Sequence, residues 1–99
     1  MKTTNINKLI EYPAQGIVSK SIIKNSKIDI TLFCMATGTD ISEHTSTRDG
    51  IVYVLEGNGT FNLEGKKIKM EKGVIINMLS NAKHSLSAKE NTSFLLMLI

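Results

Sequence analysis

Two histidines, His44 and His84, one thiol, Cys34, and the polar run "EHTSTRD" from Glu43 to Asp49 carry most of the chemistry this chain offers. A neutral imidazole binds borderline transition metals, donates or accepts a hydrogen bond, and takes up a proton near neutrality. Ser46 follows His44 by two positions, so strand alternation puts both side chains on one face, where the hydroxyl can hydrogen-bond a ligand or water. As a metal ligand Ser46 is poor, because its hydroxyl stays protonated near neutrality. Asp49 falls on the opposite parity and turns inward only through a bulge at Asp49-Gly50. Glu43 and Thr45 face outward by the same count. Ser46, His44 and Asp49 form a hydrolase triad on paper, but they lie within one strand and its turn, with no strained nucleophile turn nearby. Cys34 sits on an apolar alternating face and reads as packing rather than as a reactive thiol. As the single cysteine it permits no intrachain disulfide, which fits a reducing cytoplasm.

The elements that must position these groups are strands. Residues 17–24 and 28–35 are rich in β-branched residues and separated by the turn formers Asn25-Ser26. In the second stretch Ile28, Ile30, Leu32 and Cys34 alternate with Asp29, Thr31, Phe33 and Met35, which predicts a strand with one strongly apolar face. Residues 36–42 have the small, polar composition of a loop. Further strands are expected over 51–56, 60–63, 66–70, 74–79, 84–88 and 92–99, with turns at Gly57-Asn58-Gly59, Glu64-Gly65 and Lys72-Gly73. Turn signals every eight to twelve residues point to an all-β sandwich or barrel, with at most one helical turn in 5–11. The expected core comprises Ile30, Leu32, Val52, Val54, Ile76, Leu86, Leu96 and Leu98. Met35, Met70, Met78 and Met97 are expected to fill it, and a methionine-lined interior also accommodates varied apolar ligands.

At 99 residues the chain reads as one domain, 1–99, large enough to bury a core without staples. Apolar residues make up 41% and the mean hydropathy is near zero. No apolar run approaches the ~18 residues of a membrane span, and residues 1–12 carry no apolar signal region. Of the twelve basic residues only Arg48 is arginine, tryptophan is absent, and the net charge of +3 is scattered. That balance argues against a nucleic-acid reader, which needs arginine forks and stacking aromatics.

Laid out in this order, the chain resembles the cupins, a superfamily of small β-barrels with two conserved segments. The first segment runs Gly, five residues, His-x-His, three or four residues, Glu, six residues, Gly. Here Gly38 is followed by five residues and His44, and Gly57 closes the segment. The second runs Gly, five residues, Pro, then His after four more and Asn after a further three. Gly73 begins it here and His84 falls in register. The departures are specific: Ser46 replaces the second histidine, Gly50 the glutamate, Leu79 the proline and Ala88 the asparagine. The resemblance covers roughly residues 30–99 and implies a cupin-type jelly-roll β-barrel, a double-stranded β-helix.

In metal-binding cupins two histidines, a glutamate and a later histidine hold one divalent ion, so the resemblance leaves His44 and His84 of four ligands. A structural zinc takes four ligands and a catalytic one three. Two function classes follow. The first is a small-molecule binder with a pocket at the barrel mouth lined by His44, Ser46 and His84. The second is a metal-dependent isomerase or oxygenase, with Zn, Ni, Fe or Mn held by His44, His84 and an inward-turned Asp49 or waters. Small cupins usually dimerise. Residues 17–24 are the natural edge to pair, since a dimer removes an open strand edge.

Overall fold

Short alternating stretches bury their apolar faces by stacking sheet on sheet. In the computed structural model, which describes residues 3–99, the strands form two antiparallel sheets. A single helical turn, α1 (Ile6–Leu9), is capped by the Asn5 side chain. Nine strands follow among the described residues: β1 (Ile17–Lys24), β2 (Asp29–Met35), β3 (Asp40–His44), β4 (Gly50–Glu56), β5 (Gly59–Leu63), β6 (Lys66–Met70), β7 (Ile75–Met78), β8 (His84–Ala88) and β9 (Thr92–Leu98). The larger sheet has the order β1-β2-β9-β4-β7 and the smaller β3-β8-β5-β6. Met1 and Lys2, the start of the segment read above as lacking an apolar signal region, lie outside the described residues.

The core lies between the sheets. Met35, Val52, Val54, Ile76, Met78 and Phe94 enter it from the larger sheet, and Phe61, Met70, Leu86 and Ala88 from the smaller. Of the expected core, Val52, Val54, Ile76 and Leu86 are buried there, while Leu96 packs against it half-buried. The inward face of β2 is the reverse of the expectation. Phe33, paired with Phe94, and Met35, paired with Thr92, point to the other sheet. Ile30, Leu32 and Cys34 lie on the outer face, and Met97, opposite Ile30, sits there half-buried. Both faces of β2 are apolar, so alternation alone does not say which is inner.

Leu32 and Cys34 are nevertheless fully buried, because the segment before β1 crosses that outer face. Lys20 Nζ on β1 donates to the Leu9 carbonyl at 2.8 Å and lies 3.7 Å from Glu11 Oε1. Farther on, the Tyr12 phenol is buried near Cys34, Ser93 and Glu56, so the segment spans β1, β2, β9 and β4. Burial pushes that phenol above its ordinary value and the Ser93 hydroxyl pulls it back, yet neither oxygen finds a full hydrogen-bond partner among the described residues.

The expected strands are present within a residue or two at each end, but β3 was expected to be loop. Only Ile41 gives it an apolar inward residue, and it pairs on one side alone, with β8. At the far end of the first conserved segment, Gly57 has φ +125, and a Cβ there would fall 2.5 Å from Thr92 Cα. Glycine is required there by both backbone conformation and close approach.

Candidate functional site

A bulge makes the site. Along β3–β8, Ile41 pairs with Leu86 and His44 with His84, so β3 advances three residues while β8 advances two. The extra residue switches parity, and Ile41 and His44, which regular alternation would separate, come to the same inward face. His44 and His84 become direct cross-strand neighbours with ring centroids 4.1 Å apart and planes at 60°. His84 is buried, its ring nearly parallel to Phe61 at 5.7 Å, while His44 is exposed at the solvent end.

Each imidazole is oriented by its own strand. His44 Nδ1 lies 2.8 Å from the Ser42 carbonyl oxygen and His84 Nδ1 3.0 Å from that of Ala82. A carbonyl only accepts, so each Nδ1 carries the hydrogen and each Nε2 of the neutral ring keeps its lone pair. Burial holds the His84 imidazole below its ordinary value; the Ala82 carbonyl works the other way, and the neighbouring His44 adds to the depression.

The two rings close one end of a cavity of about 180 Å³ between the sheets. The larger sheet contributes Phe33, Val52, Met78, Phe94 and Leu96 to its walls, and the smaller sheet Ile41, Phe61 and Leu86. The imidazoles are its only polar side chains. All three phenylalanines of the chain line it, and Phe33 and Phe94 stack at 5.2 Å. The phenylalanines escaped the sequence reading. Only the cross-strand pairing of β2 with β9 puts Phe33 beside Phe94.

Ser46 and Asp49 do not join the pair. Ser46 lies beyond the end of β3, where its Oγ accepts from Arg48 N at 3.3 Å and its carbonyl from Asn81 N at 2.6 Å. Asp49 is exposed, and its carboxylate accepts from Ser80 N at 2.8 Å, fastening the turn after β7. No bulge turns it inward. Gly50 starts β4 in regular register with Met78 and Leu98. A Cβ on Gly50 would meet Met78 Cε at 3.0 Å and Leu98 Cδ2 at 3.2 Å, so the position of the cupin glutamate is walled by apolar groups. Among the described residues no cluster of three His, Cys, Asp or Glu side chains converges. Two imidazoles fall short of the three protein ligands of a catalytic zinc, so this donor set does not fit a resident metal. Cys34 is far from this chemistry, on the other face of the larger sheet.

Comparison with known proteins agrees with this architecture. The family described as "Cupin domain" matches residues 31–99. No curated protein matches the chain. Among solved structures, a conserved protein of unknown function from Streptococcus pyogenes is 22% identical with a TM-score of 0.89, over 99% of this chain and 86% of that one. A cupin superfamily protein from Desulfitobacterium hafniense is 19% identical with a TM-score of 0.90, over 99% and 90%. A cupin 2 conserved barrel domain protein from Leptotrichia buccalis is 28% identical with a TM-score of 0.90, over 97% of this chain and 47% of that one. The likeness is one of fold.

Proposed function

The chain belongs to the cupin family, and from that premise we propose that it binds a small molecule between its two sheets, with His44 and His84 as the polar end of the site. The sheets are read as the two halves of a jelly-roll barrel whose mouth carries the histidine pair. Supporting this is a strand order that makes neighbours of strands distant in the chain, such as β3 and β8. The observation that carries the function is the composition of the cavity: apolar walls and only two polar groups, side by side. Binding sites for small molecules are commonly built this way, with apolar area for affinity and a few polar atoms for orientation. A metal-dependent isomerase or oxygenase, the other expectation, needs at least a third protein donor that the cavity walls do not supply.

The test is an NMR fragment screen that follows the Met78 methyl and the His84 ring, repeated on Leu96→Trp, in which the indole fills the cavity. A compound that perturbs both resonances in the wild type and neither in the variant supports the reading. A broad set of which none perturbs either resonance overturns it.

A further inference from the structure

Resting on the cavity as a binding site, the character of its walls narrows the ligand class. Size comes first. At about 180 Å³ the cavity is close to the ~150 Å³ apolar protein cavity that accepts benzene, so it suits one six-membered ring with a small substituent. A nucleotide or a disaccharide is too large. The wall chemistry comes second. A chain with five aromatic residues places three of them, Phe33, Phe61 and Phe94, around this one space. Phenyl faces and edges favour another aromatic ring in offset or edge-on contact.

The polar end comes third. The Ser42 and Ala82 carbonyls fix a hydrogen on each Nδ1, so the neutral pair presents Nε2 acceptors. No lysine or arginine lines the cavity. An acceptor pair without a cation favours a neutral hydroxyl and disfavours a carboxylate or phosphate, whose desolvation nothing there offsets. We propose that the cavity takes a neutral monocyclic phenol or aromatic alcohol, its ring among Phe33, Phe61 and Phe94 and its hydroxyl donating to Nε2 of His44 or His84.

The probes are phenol, toluene, cyclohexanol and benzoate, titrated at about pH 8, above the ordinary histidine value of about 6.5, with the Met78 methyl as reporter. Phenol is expected to bind about tenfold more tightly than toluene, the worth of one hydrogen bond, and benzoate least of all. In His44→Phe/His84→Phe, phenol should fall to the level of toluene while toluene holds. The wild-type ranking stands on its own if that variant does not fold. Equal affinity for phenol and toluene overturns the hydrogen-bond assignment. Tighter binding of benzoate overturns the neutral class, and tighter binding of cyclohexanol overturns the aromatic class. In those three cases the cavity still binds. If none of the four probes moves the Met78 methyl, the binding-site reading fails as well.

Discussion

His84 ties the site to stability. Burial holds its imidazole below the ordinary value, so the unfolded chain binds this proton more readily than the folded one. The resulting stabilisation is complete above the unfolded value of about 6.5 and is lost as pH falls from there through the folded value. Among the described residues lining the cavity, His44 is the other titratable group, and its nearness is one cause of the His84 depression. Urea titrations from about pH 7.5 downward should show stability falling below ~6.5, and His84→Phe should flatten that fall. An unchanged slope in a folded variant would show that another group is responsible. Gly50 answers a second question at this scale, whether the cupin ligand set can simply be restored. Glutamate there places a carboxylate against Met78, Leu96 and Leu98, and an unpaired buried polar group costs about 1–3 kcal/mol or more. Wild-type protein titrated with zinc should therefore show no nanomolar site. Gly50→Glu should lower the melting temperature, and calorimetry and thermal unfolding together check both outcomes.

At the scale of elements, most strands were legible and the site's key detail was not. β1, β6 and β8 begin and end where apolar alternation meets turn residues. β3 was hidden because one inward residue, Ile41, followed by polar residues at an edge has no visible period. The bulge in β3 brings His44 to the face of Ile41, and Ser46 drops out for a different reason: β3 ends at His44, so strand parity does not reach position 46. β2 shows a different limit. With Leu32 and Cys34 on one face and Phe33 and Met35 on the other, the decision rests with whatever covers the outer side, here the segment around Tyr12. The bulge makes a sharp prediction. Deleting Glu43 removes the extra residue and leaves His44 two places after Ile41, so regular alternation keeps both on the inward face. The His84 pKa measured by NMR should then stay close to that of the wild type, as should the affinity of any ligand that depends on both imidazoles. A folded deletion variant in which the His84 pKa rises would show that His44 has left its place beside His84 and that the bulge is more than one extra residue.

For the whole molecule, the open edges matter most. β1 and β7 end the larger sheet, and Ile17 and Ile23 on β1 are 39% and 45% exposed. At the opposite edge of the sheet, Tyr53 and Ile75 pair across β4 and β7 on the outer face, with Ile75 62% exposed. An unpaired edge beside exposed apolar side chains invites a second strand. Light scattering at micromolar concentration is expected to give a dimer, and Ile23→Lys, which puts charge on that edge, to shift it toward monomer. A wild-type monomer would mean that the edge is left open in solution.

The segment that lies over β2 also turns Cys34 into a clock. The thiol is dry because of the lid formed around Tyr12, and a disulfide reagent reaches it only when that lid lifts or the sheet comes apart. When reclosing outruns the chemistry, the labelling rate reports the fraction of molecules open at any instant. Tyr12→Ala should quicken labelling by more than it lowers global stability, because it loosens the lid and leaves the core between the sheets intact. Equal changes in the two would mean that the thiol is uncovered only by complete unfolding. The chain's least reactive-looking nucleophile would then time the breathing of its own fold.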